Sequence, residues 1–351
     1  MEGEKMNKNR QNLTIADITT VNEWVKKFRF VSAAPDRPLA SFEAGQFLNL
    51  FYEIDGATTC RPYSIASSPK DAQEGFYDLY IHSGGSFTSS WLCNNAVVGM
   101  AIQGSVPAGT FCYRPERDGK KVIGISGGMS VTPLYAMAKA VVDGTLDIDL
   151  TLFCGWDAYD DVLYYEEFSA FAQKCPRFRA VFILADELRD GFENGYVSLE
   201  LIQKYTDPSN ACFFMCGPSA MYNALDQELA SLHVPAERYH REIPGEVKFG
   251  APGTESLQSD IVYTLTVQKE GNRYSIPMRS DETILVALER AAFRPEARCR
   301  SGSCGYCGAK LNSGSVFVPE YWCNQEQKRD DHIIHICCSF PTSDVEITLT
   351  S

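Results

Sequence analysis

Val122-Ile123-Gly124-Ile125-Ser126-Gly127-Gly128-Met129-Ser130-Val131-Thr132-Pro133 is an apolar run closed by two glycines and followed at once by a helix signal. The run reads as a short buried strand. Leu134, Met137, Ala138 and Val141 then recur at i, i+3, i+4 and i+7, the spacing of a one-faced helix. Pro133 suits the first turn of that helix, where a missing N–H costs nothing. The alternation continues as strand Asp149–Cys154, helix Asp160–Gln173, strand Ala180–Leu184, strand Ala211–Cys216 and helix Ser219–Leu232. Strands alternating with amphipathic helices imply a parallel α/β sheet with helices on both faces. A glycine turn at the end of such a strand lets the backbone approach a pyrophosphate, and the helix N-terminus adds favourable partial charge. Cys216-Gly217-Pro218 ends a second strand at the same edge of the sheet.

The texture changes on both sides of this region. Residues from about 10 to 115 alternate apolar and polar, as in Phe47-Leu48-Asn49-Leu50-Phe51-Tyr52 and Tyr77-Asp78-Leu79-Tyr80-Ile81, between glycine and proline punctuation. That pattern predicts short strands in an antiparallel barrel or sandwich. Downstream, Pro244-Gly245-Glu246 and Gly250-Ala251-Pro252-Gly253-Thr254-Glu255-Ser256 lack periodicity and are rich in breakers. Beyond them come a strand, a turn at Gly271-Asn272, a second strand and a helix through Thr283–Ala292. The expected organisation is a barrel over 8–116, an α/β domain over 117–246, a linker over 247–260 and a last domain over 261–351.

Composition excludes several classes. The 351 residues are 44% hydrophobic and 22% charged, too apolar for a disordered chain. No stretch approaches the ~18–20 unbroken apolar residues of a membrane span. The net charge of −13 argues against nucleic acid as a partner, since that needs a basic face. The acidity lies in the first 260 residues, with 22 basic against 34 acidic side chains, while the last domain has 10 against 11. Met1 to Asn12 is polar and charged, without the apolar core of a signal peptide. With thirteen cysteines, this points to reduced thiols in a cytoplasmic protein. Seven of those cysteines precede residue 217, and six fall between Cys299 and Cys338.

Within that cluster Cys299, Cys304 and Cys307 have the spacing C-x4-C-x2-C, which suits a [2Fe–2S] centre whose fourth thiolate comes from further on. Ser301, Gly302, Ser303 and Gly305 are small enough for backbone N–H groups to approach the sulfides, and Arg300 offsets negative charge. A zinc site would favour two C-x2-C pairs or Cys/His pairs, and only one C-x2-C is present. The downstream candidates are Cys323, Cys337 and Cys338.

Arg61-Pro62-Tyr63-Ser64 lies in an expected strand after Thr58-Thr59-Cys60. A flavin needs an aromatic ring against its isoalloxazine, a hydroxyl or amide near its reactive nitrogen and a cation for its phosphate. Alternation puts Arg61 and Tyr63 on one side of the strand and Ser64 on the other. Alone, a strand with an Arg and a Tyr is usually only a strand.

Together these segments resemble the ferredoxin–NADP reductase-like superfamily, joined to a ferredoxin-like β-grasp domain, over almost the whole chain. Arg-x-Tyr-Ser matches Arg61, Tyr63 and Ser64, and the glycine stretch that follows in that family matches Gly84-Gly85-Ser86-Phe87-Thr88-Ser89. The resemblance implies FAD rather than FMN, with Thr88 or Ser89 holding a phosphate oxygen beside the glycine turn. The family's Gly-Gly-x-Gly-x-Thr-Pro matches at Gly127, Gly128, Thr132 and Pro133, with Ser130 in place of a glycine, and its Cys-Gly-Pro matches Cys216, Gly217 and Pro218. By that pattern Cys216 faces the nicotinamide. The β-grasp pattern Cys-Arg-x-Gly-x-Cys-Gly-x-Cys matches Cys299 to Cys307, and its last ligand, four residues before a proline, falls on Cys337 before Pro341.

The resemblance is to the electron-transfer reductases of multicomponent oxygenases, including the phenylacetate-type reductases and the reductase of hybrid cluster protein. It implies NADH to FAD to [2Fe–2S] to a protein acceptor, with Ser64, Cys216 and Glu242 tuning the redox rings. A rival reading is an electron-relay subunit of a larger complex that does not turn over nucleotide. Asp157 follows Gly155-Trp156 where the adenosine ribose is expected, and no Arg or Lys stands between Gly155 and Gln173. A carboxylate there bonds ribose hydroxyls and repels a 2′-phosphate, which favours NADH over NADPH.

Overall fold

The alternating first segment forms six antiparallel strands: β1 (Arg10–Thr20), β2 (Val25–Ser32), β3 (Phe47–Ile54), β4 (Ala57–Ser64), β5 (Phe76–His82) and β6 (Ala101–Ser105). The computed structural model describes residues 10–54, 57–84, 87–242, 256–293, 299–302, 305–319 and 332–349, with single positions at 249, 254, 295 and 297. The strands run in the order β4-β3-β6-β1-β2-β5, and an Ile65–Leu79 bridge closes the two ends into a barrel. Inward-facing Leu13, Ile15, Phe28, Phe30, Leu48, Leu50 and Leu79 fill it. A short helix α1 (Pro69–Gln73) is held by a capping box between Ser68 and Asp71. A longer one, α2 (Phe87–Asn95), follows the glycine stretch.

The middle segment is the expected parallel sheet. Its strands are β7 (Lys121–Gly127), β8 (Asp149–Trp156), β9 (Phe178–Leu184), β10 (Glu193–Asn194), β11 (Cys212–Cys216) and β12 (Tyr239–Glu242), in the order β10-β9-β8-β7-β11-β12. Chain order reverses between β7 and β11, and ligands of such sheets bind in the crevice at that point. The helices are α3 (Pro115–Asp118), α4 (Thr132–Val142), α5 (Tyr165–Lys174), α6 (Leu199–Tyr205) and α7 (Ser219–Leu229).

The helix expected from Asp160 starts later. Residues Tyr159–Asp161 make one 3-10 turn, and α5 begins only at Tyr165. Tyr164 has φ 63°, in the left-handed region, and is buried with its ring stacked on Tyr135 at 4.0 Å and edge-on to Tyr80 of the barrel at 4.7 Å. Burying that ring takes the chain off a helical path.

Barrel and parallel sheet belong to one unit of residues 1–242, and 243–351 form a second. Within the first unit Phe111 packs edge-on to Phe214, and Lys139 of α4 pairs with Asp71 of α1. Asp118, fully buried, accepts hydrogen bonds from Arg117 at 2.6 and 2.8 Å, from the Arg114 N–H at 2.7 Å, and pairs with His240 Nε2 of β12 at 2.8 Å. Cys212 brings a third potential metal ligand near Asp118 and His240. With Arg117 gripping both oxygens of the carboxylate, the group reads as a structural tie. Asp118→Asn removes the charge these donors converge on, and hydrogen bonds to charged groups are worth roughly 1.5–3 kcal/mol. Since Asn keeps part of the network, denaturant unfolding is expected to show a loss of about 1.5 kcal/mol, and an unchanged midpoint would refute the tie.

The second unit is a β-grasp sheet. Its strands are β13 (Val262–Lys269), β14 (Asn272–Arg279), β15 (Gly308–Ser313), β16 (Val316–Phe317), β17 (Ile333–His335), β18 (Phe340–Pro341) and β19 (Val345–Leu349). The main sheet has the order β14-β13-β19-β15-β17, with β13 and β19 parallel, while β16 and β18 pair separately. Helix α8 (Ile284–Arg290), capped by Thr283, buries Ile284, Leu285 and Leu288 against Leu265, Val267 and Ile347. Half of the linker expected over 247–260 lies outside the described residues.

Candidate active site

Strand β4 and the start of α2 bring the flavin candidates together. The Tyr63 hydroxyl lies 3.1 Å from Ser89 Oγ and 3.3 Å from the Tyr52 hydroxyl, and Tyr52 donates to the Thr88 carbonyl at 3.0 Å. Burial pushes the Tyr63 phenol well above its ordinary range, so it stays neutral. Arg61 donates to the Cys60 carbonyl at 2.8 Å, and Pro62 and Ser64 oppose Asn49 and Phe47 across the β3–β4 ladder. Asn49 is buried with neither side-chain amide atom partnered among the described residues, which fits a strand built against a polar ligand. Gly84 lies in the turn before α2, while Gly85 and Ser86 fall outside the described residues. Tyr52 had no sequence signal beyond alternation: it joins the site from the neighbouring strand, its ring stacked on Trp91 of α2 at 5.7 Å.

At the crevice between β7 and β11 the two glycine motifs meet. A Cβ on Gly127 would come within 2.8 Å of Pro218 Cδ, and one on Gly217 within 3.3 Å of the Gly127 nitrogen, so neither position admits a side chain at this separation. Gly128 has φ 57° with open space where a Cβ would stand, a cradle for a phosphate group. Thr132 opens α4, with Pro133 in its first turn, and the Thr132 hydroxyl reaches the Met129 carbonyl at 3.2 Å. Cys216 ends β11 directly opposite Glu242 on β12. Burial, reinforced by the Glu242 carboxylate, pushes the Cys216 thiol far up, so it is a neutral S–H. Ser130 stands in the 3-10 turn Gly128–Val131 between β7 and α4. Tyr222 accepts from the Gly217 N–H at 3.0 Å and donates to the Glu242 carbonyl at 2.6 Å, fixing Cys216 and Glu242 in one frame.

Asp157 is exposed just past β8, its carbonyl accepting from the Asp186 N–H at 3.0 Å. The cap of the following 3-10 turn is Ala158, with no side-chain bond, so the Asp157 carboxylate does not serve that turn. One nearby cation had no sequence signal: the Arg189 guanidinium lies 3.3 Å from the centre of the Tyr159 ring. The Tyr159 N–H in turn donates to Glu187 at 2.6 Å.

In the second unit Cys299, Cys307 and Cys337 converge, all buried. Cys307 Sγ and Cys337 Sγ are 3.2 Å apart, the Gly302 N–H donates to Cys337 Sγ at 3.2 Å and the Ser301 N–H to Cys299 Sγ at 3.4 Å. The close approach of the two sulfurs holds the Cys307 thiol below its ordinary range and the Cys337 thiol above it. Thiolates gathered under backbone N–H groups are the donor set of an iron–sulfur centre. Cys338 Sγ turns instead to the His335 carbonyl at 3.4 Å. Cys304 and Cys323 lie outside the described residues.

Comparison with known proteins follows this division. Residues 12–113 match the oxidoreductase FAD-binding domain, 125–227 the oxidoreductase NAD-binding domain and 267–342 the 2Fe-2S iron-sulfur cluster binding domain. The chain carries, in that order, a flavin-binding, a nicotinamide-binding and an iron–sulfur domain. It is an NAD(P)H-dependent flavoprotein oxidoreductase. This oxidoreductase is 27% identical to the glycine betaine monooxygenase reductase subunit of Chromohalobacter salexigens, over 96% of its own chain and 95% of the relative. It is also 27% identical to the ferredoxin reductase component of 3-ketosteroid-9-alpha-monooxygenase from Mycobacterium tuberculosis, over 88% of its own chain and 85% of the relative. The fold is that of phthalate dioxygenase reductase, with a TM-score of 0.68 at 21% identity, covering 97% of this chain and 98% of that one. Among the described residues, no helix is long and apolar enough to cross a membrane.

Proposed function

We propose that this oxidoreductase takes electrons from NADH and delivers them, through FAD and a [2Fe–2S] centre, to a protein acceptor of the oxygenase-component class. The observation that carries this reading is its match, over most of the length of both chains, to reductase components of monooxygenase systems. When bound, a flavin would supply two-electron acceptance of one hydride and one-electron release toward an iron–sulfur centre. The chain's own residues bind and orient. Arg61, Tyr63, Ser64, Gly84, Gly85, Ser86, Thr88 and Ser89 hold the flavin. Gly127, Gly128, Thr132, Pro133, Gly217 and Pro218 cradle the nucleotide phosphates, and Asp157 takes the ribose. Cys216 presents a neutral thiol beside the nicotinamide, steadied by Glu242. Cys299, Cys304, Cys307 and Cys337 ligate the iron. The domain limits of 8–116, 117–246 and 261–351 follow from these assignments, and a cytoplasmic location, where thiols stay reduced, suits the cysteine ligands.

The direct test is NADH-dependent reduction of a dye or cytochrome c by the purified protein alone. No turnover with either nicotinamide nucleotide would return the relay reading. Arg61→Ala is expected to lower flavin retention about tenfold or more, since a charge-assisted phosphate contact is worth roughly 1.5–3 kcal/mol. Acid extraction should release FAD. Recovery of FMN alone, or undiminished retention in Arg61→Ala, would sink the assignment.

A further inference from the structure

Arg300 sits inside the cysteine loop and is 1% exposed, the bulkiest fully buried side chain among the described residues. Its φ of 59° places it in the left-handed region, uncommon for a residue with a side chain. The guanidinium makes a two-pronged pair with Glu289, Nη1 to Oε1 at 2.6 Å and Nη2 to Oε2 at 2.7 Å. Glu289 lies near the end of α8, half-exposed. The other end of the same helix grips the fourth-ligand turn: the Ile284 N–H donates to the Ser339 carbonyl and the Leu285 N–H to the Ile336 carbonyl, both at 2.9 Å. Those two carbonyls flank Cys337. Helix α8 therefore spans from the Cys337 turn to the Cys299 loop, and Glu289 is its attachment at the loop end.

We propose that Glu289 is a positioning residue for the iron–sulfur centre, holding Arg300 and the Cys299–Gly302 backbone in register with Cys337 and balancing the buried Arg300 charge. This rests on the ligand set proposed above. An electron added to the centre is an added negative charge. A nearby positive charge favours the reduced form, and a negative one opposes it. While Arg300 and Glu289 are paired, their opposite charges largely offset each other at the centre. Removing either one moves the reduction equilibrium, in opposite directions.

The test is an EPR-monitored redox titration of the holoprotein. Glu289→Gln is expected to shift the equilibrium roughly tenfold toward the reduced centre, a potential rise of about 59 mV for one electron. Arg300→Gln is expected to shift it about tenfold the other way. Glu289→Asp, which keeps the charge, should stay within about threefold of the wild type. A purely structural role would change cluster retention without opposed shifts, so unmoved potentials, or shifts of the same sign, would overturn the proposal. If Arg300→Gln loses its centre, the Glu289→Gln and Glu289→Asp pair still decides, since equal potentials refute it. A wild-type protein with no reduced-state signal would instead overturn the ligand set, and this inference with it.

Discussion

Cys337→Ser is expected to abolish the visible absorption and the reduced-state EPR signal of the iron–sulfur centre, whereas Cys338→Ser and Cys323→Ser should leave both. The two neighbouring thiols differ in direction. Cys337 Sγ stands 3.2 Å from Cys307 Sγ and receives the Gly302 N–H, while Cys338 Sγ bonds to the His335 carbonyl. A serine oxygen is a poor replacement for a thiolate toward iron, and the turn cannot swing Cys338 into place without breaking the carbonyl contacts with α8. The reading fails if Cys338→Ser loses the signal while Cys337→Ser keeps it.

NADH should be the better donor by about tenfold to a hundredfold in kcat/KM, with Asp157 the main cause. A lost ribose hydrogen bond plus repulsion of a 2′-phosphate in a partly solvated cleft is worth about 1.5–3 kcal/mol, which converts directly into that ratio. Asp157→Ser should narrow the gap chiefly by improving NADPH, and Asp157→Arg should narrow it further. Arg189 bears on the outcome, because it is parked on the Tyr159 ring rather than absent from the neighbourhood. Steady-state dye reduction with both nucleotides, in wild type and Asp157→Ser, separates the contributions. An unchanged ratio in the mutant would remove Asp157 from the site.

What could be read from the sequence was what lies close together along the chain. The three-cysteine spacing, the Gly127-Gly128 turn and the Arg61–Ser64 strand are local patterns; β7 ends at Gly127 and β4 at Ser64, while Cys304 lies outside the described residues. Contacts made across the chain left no such trace. Tyr52 joins Tyr63 and Ser89 from the adjacent strand, and Arg189 reaches Tyr159 from a separate loop. Helix α2 was hidden because Phe87–Asn95 is mostly small and polar, without a one-faced apolar repeat. The late start of α5 turned on Tyr164, whose buried ring outweighed the helical preference of its neighbours.

That same tyrosine joins two bodies. Stacked on Tyr135 of the nucleotide sheet and edge-on to Tyr80 of the barrel, it works as a dowel through the joint between them. Aromatic pairs contribute about 0.5–1.5 kcal/mol each beyond their burial, and a swing of one body against the other would have to break several at once. The angle between flavin-side and nucleotide-side frames is thus built in at folding rather than chosen at each turnover.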